Sequence, residues 1–216
     1  MPENHPPADD APIGVLIVED HPALRAGLVA LLGQEPGLRR VAAVGSEREL
    51  LETLPAARPD VVVLDYVLGR GDGLRACFRL KQRPAAPRVV LYSGYADGVF
   101  AVPASVAQAD AIVSKSAPVE RLLHAIRSVS RDPLPGGKLD AEQIHAASGR
   151  LRDGDLPVLG MLAARHSVQD IADTLHLTPE QVSTRALRII GRLQALHRLG
   201  EAQESGNREE VSAWAR

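Results

Sequence analysis

The sequence lacks the features that stabilise secreted proteins or anchor membrane proteins. Only one of its 216 residues, Cys77, is a cysteine, which excludes a disulfide bond within the chain. No basic start followed by an apolar core marks a signal peptide, and no apolar stretch approaches the roughly 20 residues that cross a bilayer. We therefore expect a cytoplasmic protein in a reducing compartment, with Cys77 as a buried thiol and no membrane partner.

Sequence signatures of common enzymes are missing too. The seven histidines show no metal-ligand spacing, and the chain has neither a nucleophile elbow nor a glycine-rich loop that cradles phosphate. The net charge of -2 is close to zero and names no partner. These absences favour a role other than that of an enzyme.

Short runs rich in β-branched residues alternate with helical patterns in the N-terminal part of the chain. The runs lie near 13–18, 40–44, 61–64, 88–92 and 111–114, and a helical stretch follows each of them. Such alternation predicts an α/β fold in which a five-stranded parallel sheet is doubly wound, with helices on both faces.

Local signals mark the ends of several predicted helices. Pro22 suits a first helical turn, and Gly33 stands where that helix can end. Ser46 and Glu49 have the spacing of a capping box at the start of the second helix. Pro103 would remove a hydrogen bond from the interior of the fourth helix, which we expect to be short, shifted or bent.

Composition predicts two domains with less ordered segments around them. A proline and glycine cluster after Ser130 indicates a linker, in which Asp140 and Gln143 could cap a short helix. The predicted parts are a flexible lead over 1–12, an α/β domain over 13–130, the linker over 131–150, a small all-α domain over 151–199 and a frayed tail over 200–216.

Charged residues follow three of the predicted strands at the point where each strand ends. Glu19 and Asp20 come after the first run, Asp65 after the third and Lys115 after the fifth. The carboxyl ends of parallel strands meet at one crevice, where two acidic loops can share one magnesium ion. The metal and the ammonium group would neutralise charge on a phosphoryl group transferred to Asp65. Each residue alone also has an ordinary role as a helix cap or a solvated side chain, so the prediction of a phosphoacceptor site rests on the combination.

Over 13–130 the chain resembles the receiver domain of two-component response regulators. The segment Val18-Glu19-Asp20-His21-Pro22 looks like the acidic pair after the first strand, and Asp65 looks like the phosphoacceptor. The further matches are Asp72-Gly73-Leu74 at the turn into the third helix, Ser93 at the end of the fourth strand and Lys115 at the end of the fifth.

The resemblance implies a magnesium site built from oxygen ligands. Asp20 and Asp65 would bind Mg²⁺ directly, Glu19 would bind it through water, and the backbone carbonyl of Val67 would complete the protein's share. The implied phosphodonor is a sensor histidine kinase. The receiver would act as a phosphoacceptor that assists its own phosphotransfer and dephosphorylation.

The resemblance also implies a phosphorylation switch, which this chain modifies. Lys115 would pair with Asp65 before transfer and with the phosphoryl group afterwards, while Ser93 would donate a hydrogen bond to that group. Ile112 stands where many receivers have a switching aromatic residue, so a rotating ring at that position cannot report phosphorylation. Gly69 replaces a proline that is common after the acceptor.

The segment 179–195 predicts a helix with a buried stripe and a polar face. Thr178 is a good N-cap, Pro179 belongs at the first helical position, and Gln181 completes a capping box. The buried stripe comprises Val182, Ala186, Ile189, Ile190 and Leu193. A helix of this kind could place polar residues at base edges and arginines on phosphates in the major groove. The candidate DNA contacts are Gln181, Ser183, Thr184, Arg185, Arg188 and Arg192.

From about 151 to 195 the chain resembles the LuxR-type helix-turn-helix of the NarL/FixJ group of response regulators. The matches are Leu151, Val158 and Leu159 in the first helix, Ser167, Asp170, Ile171, Ala172 and Leu175 in the supporting helix, Leu177 and Thr178 in the turn, and Val182, Ile189 and Leu193 in the recognition helix. The group commonly has glycine where Arg165 stands and glutamate where Asp155 stands. The resemblance implies that a homodimer binds paired half-sites on DNA.

Three functional hypotheses follow from these patterns. The first is a response regulator that is phosphorylated on Asp65 and regulates transcription through its C-terminal helix-turn-helix. The second keeps the receiver but makes the output independent of phosphate, or a protein-binding module like sigma-factor region four that contacts RNA polymerase. The third is a phosphohydrolase of the haloacid dehalogenase type, which would need a second acid where this chain has Val67.

Overall fold

The computed structural model describes residues 11–69, 71–94, 98–131, 149 and 151–195. Contacts divide these residues into two units. The described part of the first unit comprises 11–69, 71–94 and 109–131, and that of the second comprises 98–108, 149 and 151–195. The domain boundaries drawn from composition stay predictions, and residues 1–10 of the predicted lead, the Asp140 cap and the tail lie outside the described residues.

The first unit is built on a five-stranded parallel sheet, as the alternating pattern predicts. Its strands are β1 (Ile13–Val18), β2 (Leu38–Val44), β3 (Val61–Asp65), β4 (Arg88–Ser93) and β5 (Ala111–Ser114). The strand order is β2-β1-β3-β4-β5, so β1 and β3 lie side by side in the interior of the sheet. Both are buried on both faces, which explains their continuous apolar sequence.

Five helices are described among the elements that alternate with the strands. They are α1 (Pro22–Gln34), α2 (Glu47–Ala57), α3 (Gly73–Lys81), α4 (Gly98–Val106) and α5 (Val119–Arg131). Pro22 begins α1 and the Ser46 side chain caps α2, both as predicted. The prediction that Gly33 ends α1 is wrong, because α1 continues to Gln34. The predicted core thiol, Cys77, is buried.

The fourth helix groups with the C-terminal helices. It is nine residues long with Pro103 inside, which confirms that it is short. Its residues Val102, Ala104 and Val106 are buried. Within the second unit, α4 packs against the helix Leu156–Ala163. The side-chain amide of Gln108 donates a hydrogen bond to the backbone oxygen of His166, with 3.1 Å between Nε2 and O.

Within 151–195, the second unit is mainly helical, as predicted. A short 3-10 turn, Asp153–Asp155, leads into α6 (Leu156–Ala163), which is followed by α7 (Val168–Leu175) and by α8 over 179–195. All five residues of the predicted stripe on α8 are buried. Arg165, between α6 and α7, has a φ of 66°, a conformation that favours glycine. In the described part of the chain no helix is long and apolar enough to cross a membrane.

Gly73 permits a close approach between α3 and the end of β3. Its backbone N–H donates to the carbonyl oxygen of Tyr66 at 2.9 Å, and a Cβ at this position would overlap the backbone of Asp65 and Tyr66. Asp72 caps the same helix, since its Oδ1 accepts hydrogen bonds from the amides of Leu74 and Arg75. The Asp72-Gly73 pair therefore fixes where α3 begins relative to Asp65.

Replacing Gly73 with alanine is expected to destabilise the protein strongly. Backbone atoms cannot move aside as a flexible side chain can, so Gly73→Ala should lower the free energy of unfolding by about 2–3 kcal/mol. Urea denaturation measures this change. Gly27→Ala is the matched control, because a Cβ at Gly27, within α1, meets nothing within 4 Å. The control should gain about 0.5–1 kcal/mol, and equal stability of the two variants would contradict the assigned role of Gly73.

Candidate functional site

The carboxyl ends of β1 and β3 bring two buried acids together. Val18 pairs with Leu64 in the parallel register, so Glu19 and Asp65 follow adjacent positions of neighbouring strands. Only 1% of Glu19 and 4% of Asp65 is exposed to solvent. Buried carboxylates of this kind need a nearby positive charge, and the sequence predicts that Lys115 supplies it.

Lys115 bridges the two acids. Its Nζ lies 2.8 Å from Oε2 of Glu19 and 2.9 Å from Oδ2 of Asp65. Its backbone N–H donates to the carbonyl oxygen of Ser93 at 2.7 Å, which fixes the end of β5 beside the end of β4. Ser93 is fully buried at this position. The structure therefore brings Glu19, Asp65, Ser93 and Lys115 to one edge of the sheet.

The loop after β3 holds the remaining predicted residues of the site. The amide of Gly69 donates to Oδ2 of Asp20 at 2.6 Å, and the amide of Val67 donates to Oδ1 of Asp65 at 3.3 Å. Gly69 has a φ of 55°, which a residue with a side chain rarely adopts. The glycine thus lets this loop turn its amide towards the acid that follows β1.

Burial and charge set the proton affinity of the site. Desolvation raises the pKa of Asp65 from 3.8 to about 6, although Lys115 acts in the opposite direction. Hydrogen bonds and charge interactions with Glu19 and Asp65 raise the pKa of Lys115 despite its partial burial. At neutral pH the site therefore holds a carboxylate that is costly to ionise and an ammonium group that keeps its proton.

Two residues near the acids were not predicted as part of the site. Nδ1 of His21 lies 3.2 Å from Oδ1 of Asp20, and Glu19, Asp20 and His21 offer three possible metal-ligand atoms within 4.8 Å of one another. The ring centroid of Tyr92 lies 5.9 Å from Nζ of Lys115. In the sequence, Tyr92 looks like one more apolar residue of a buried strand, so only its place before Ser93 hints at a role.

The candidate DNA contacts of α8 fall into different environments. Gln181 is tied to the start of the helix, because its Oε1 accepts from the amide of Thr178 at 2.9 Å in the predicted capping box. Thr184 is exposed and Ser183 is half-buried. Arg185 donates to the backbone oxygen of Gly154 at 2.9 Å. That these residues contact DNA stays a prediction.

Asp155 joins two arginines of α8 to the turn before α6. This carboxylate is 1% exposed, and it accepts from Arg188 through Oδ1 and from Arg192 through Oδ2, the latter at 2.9 Å. The two arginines are partly exposed, and their ion pairs join α8 to the turn that precedes α6. A sequence reading that treats them as solvated phosphate contacts misses this, because Asp155 is distant along the chain.

Comparison with known families identifies the N-terminal part of the chain. The family model for the response regulator receiver domain matches residues 15–127. The chain belongs to the response regulators. The similar proteins include a DNA-binding transcriptional activator and a response regulator of the LuxR family.

Individual relatives support this membership over most of the chain. The DNA-binding transcriptional activator DevR/DosR of Mycobacterium tuberculosis is 31% identical, and the match covers 84% of this chain and 88% of that protein. A LuxR-family response regulator from Aurantimonas has a similar structure, with a TM-score of 0.53 and 28% identity over 56% of this chain and 86% of that one. The RcsB response regulator of Salmonella typhimurium, at 20% identity, shares the fold with a TM-score of 0.53 over 85% of this chain and 91% of its own.

Asp65 gives this response regulator a specific dependence of stability on pH. Its folded-state pKa of about 6 exceeds the ordinary 3.8, so between these values the folded protein binds more protons than the unfolded protein does. The metal-free protein should therefore lose stability as the pH rises from about 4 to about 6. Asp65→Asn removes the ionisation, and we expect it to be more stable than the wild type by about 1–2 kcal/mol at pH 7.5.

Urea denaturation in a metal chelator at a series of pH values measures this difference. The gain of Asp65→Asn should shrink as the pH falls towards 4, where the wild-type carboxyl is protonated as well. Glu52→Gln, an equivalent change at an exposed position of α2, serves as the control and should follow the wild type. Parallel curves for the wild type and Asp65→Asn would contradict the raised pKa.

Proposed function

We propose that this response regulator accepts a phosphoryl group on Asp65 and thereby controls transcription through DNA binding by its C-terminal helices. The observation that carries the proposal is the contact of Lys115 with both Glu19 and Asp65, at 2.8 and 2.9 Å. A carboxylate beside an ammonium group and a second acid, at the carboxyl edge of a parallel sheet, is equipped to take up a charged group.

The donor set at the edge of the sheet fits a divalent cation. Glu19, Asp20 and Asp65 bring three carboxylates, and Lys115 brings one positive charge against them. Mg²⁺ prefers oxygen ligands, and we propose that Asp20, Asp65 and the carbonyl of Val67 bind it directly while Glu19 binds through water. When bound, the ion would neutralise charge on the transferring phosphoryl oxygens.

In the proposed reaction, the phosphoryl group leaves a ring nitrogen of the kinase's phosphohistidine and bonds to a carboxylate oxygen of Asp65. A pKa of about 6 leaves this carboxyl mostly ionised at pH 7.5, as a nucleophile must be. The Lys115 ammonium, already on Oδ2 of Asp65, then donates to a phosphoryl oxygen. The hydroxyl of Ser93 donates a second hydrogen bond to that group.

The chain offers a covalent route from the phosphorylation site to the output helices. β4 ends at Ser93, and α4, which begins at Gly98, packs within the second unit against α6. A shift of Ser93 towards a phosphoryl group would pull on the segment that leads into α4. Because α4 already packs with the output helices, this path does not need the aromatic switch that Ile112 replaces.

DNA is the proposed target of the second unit. The support is the exposed polar face of α8 together with DevR/DosR, which is described as a DNA-binding transcriptional activator. We propose a homodimer on paired half-sites, a cytoplasmic location and a sensor histidine kinase as the phosphodonor, with RNA polymerase as a further partner. The receiver would assist its own phosphotransfer and dephosphorylation without other enzymatic activity.

One observation favours a second candidate function. Arg188 and Arg192 are paired with Asp155, so part of the positive charge of α8 is neutralised within the unit. Binding to the phosphate backbone depends on such charge. A second unit that instead contacts protein, or that acts independently of phosphate, is therefore the alternative against which the first function is tested.

Phosphorylation should require Asp65 and should not require the control acid, Glu52. After incubation with acetyl phosphate and Mg²⁺, the wild type and Glu52→Gln should show a retarded band on a phosphate-affinity gel and a mass increase of one phosphoryl group. Asp65→Asn should show neither, because an amide cannot form the acyl phosphate. A modification that persists in Asp65→Asn would contradict the assignment.

A gel shift on genomic fragments extends this comparison to the output. Phosphorylated wild type should bind DNA roughly tenfold more tightly than Asp65→Asn, which is a coupling free energy of about 1.4 kcal/mol. Equal binding by both proteins would support the phosphate-independent alternative. Absence of binding in both states would support the protein-binding alternative.

Substitutions on the exposed face of α8 should separate DNA contact from stability. Ser183→Ala and Thr184→Ala should weaken binding to a selected fragment at least about fivefold, with unchanged melting temperature, because polar side chains here would meet base edges. Thr174→Ala, the same change at an exposed position of α7, is the control. Arg192→Ala should lower the melting temperature as well, since it removes a partner of buried Asp155. Undiminished binding by Ser183→Ala and Thr184→Ala would contradict the proposed contact face.

A further inference from the structure

We propose that Tyr92 is a positioning residue for phosphoryl transfer, acting through Lys115. The ring centroid of Tyr92 and Nζ of Lys115 lie 5.9 Å apart, within the range of a cation–π interaction. This inference rests on the proposed phosphorylation of Asp65 and adds a residue that acts on the lysine rather than on the phosphoryl group.

The register of the sheet accounts for this contact. Tyr92 on β4 pairs with Val113 on β5, so the two side chains lie on the same face. Lys115 directly follows the end of β5, and its backbone N–H donates to the carbonyl oxygen of Ser93 at 2.7 Å, which keeps it beside β4. Ser93, one residue after Tyr92, belongs to the opposite face. Two consecutive residues of β4 thus lie near the site, Tyr92 with its ring on one face of the sheet and Ser93 with its hydroxyl on the other.

The environment of the Tyr92 ring suits an interaction with the ammonium group of Lys115. Tyr92 is 7% exposed and packs in the core formed with α1 and α5, which holds the ring in place. Burial raises the pKa of its hydroxyl, so the phenol stays neutral and offers the face of the ring rather than a negative charge. A partly desolvated ammonium group is attracted to such a face more strongly than a fully hydrated one.

Restricting Lys115 matters because its side chain is long and flexible. A lysine side chain loses up to about 2 kcal/mol of conformational entropy when it is fixed in one geometry. Glu19 and Asp65 hold the ammonium group through ion pairs at 2.8 and 2.9 Å, and the centroid of the Tyr92 ring lies 5.9 Å from it. When Asp65 carries a phosphoryl group, the ring would keep the ammonium close to the new oxygens, where it is needed.

Lysine-selective NMR tests the geometry without any phosphorylation. The chain has three lysines, Lys81, Lys115 and Lys138, so ¹³C-lysine labelling gives few ε-methylene signals, and Lys115→Arg assigns the one of interest. The ring current should shift that signal upfield in the wild type and in Tyr92→Phe. In Tyr92→Leu the shift should be lost. An unshifted wild-type signal would overturn the proposed contact.

The rate of phosphorylation by acetyl phosphate at saturating Mg²⁺ tests the consequence. Tyr92→Leu should be roughly three- to tenfold slower than the wild type, while Tyr92→Phe, which keeps the ring, should stay within about twofold. Phe78→Leu, an aromatic-to-leucine change at a buried position of α3, controls for loss of core packing and should keep the wild-type rate. A slow Tyr92→Phe, or equal rates for Tyr92→Leu and the wild type, would overturn the role.

A double variant distinguishes action through Lys115 from a general packing effect. In a Lys115→Met background, which removes the cation, Tyr92→Leu should slow phosphorylation by a smaller factor than it does with Lys115 present. Identical factors would mean that the ring acts independently of residue 115 and would overturn the inference. A wild type that takes up no phosphoryl group counts against the proposed function, and the NMR signal then still decides whether Tyr92 holds Lys115.

Discussion

The ammonium group of Lys115 between two buried carboxylates is the interaction on which the site depends. Glu19 and Asp65 are almost completely shielded from water, and a buried charge without a partner is strongly unfavourable. Lys115 pairs with both acids, but desolvation of Asp65, together with the charge of Glu19, still raises the pKa of Asp65. A cation bound beside Asp65, as proposed for Mg²⁺, would lower the cost of this ionised carboxylate. The burial that makes Asp65 costly to ionise would therefore also favour the binding of a cation beside it.

Parallel strand topology explains how residues far apart in sequence reach this arrangement. Glu19, Asp65, Ser93 and Lys115 each follow or end a different strand, and the order β2-β1-β3-β4-β5 places those ends side by side. The glycine at position 73 then allows α3 to begin directly against the backbone that carries Asp65. The positions of the reactive groups are consequently set by backbone hydrogen bonds and core packing, which are more rigid than a surface loop.

The sequence predicts those parts of the structure in which a local pattern decides the outcome. Strand runs, the Ser46 cap and the buried stripe of α8 all follow from periodicity or from capping chemistry, and the structure confirms them. The prediction about Gly33 fails because glycine permits a helix end without requiring one. The pairing of Asp155 with Arg188 and Arg192 and the placement of Tyr92 depend on tertiary contacts between distant segments. A periodic pattern identifies Tyr92 as core but cannot tell which neighbour its ring faces.

The ion pairs of Asp155 also bear on how the second unit could meet DNA. Arg188 and Arg192 share one buried carboxylate, so together they contribute one net positive charge to the surface of α8 instead of two. Fewer neutralised phosphates mean weaker nonspecific attraction and a shallower dependence of binding on salt. Recognition of one DNA sequence over others would then depend more on the short polar side chains at the start of α8. It would also depend on a second copy of the protein bound to a paired half-site. If the second unit binds DNA, dimerisation would raise its affinity through effective concentration, because two linked units bind one DNA molecule together. This increase would matter more for a weakly charged helix than for a strongly basic one.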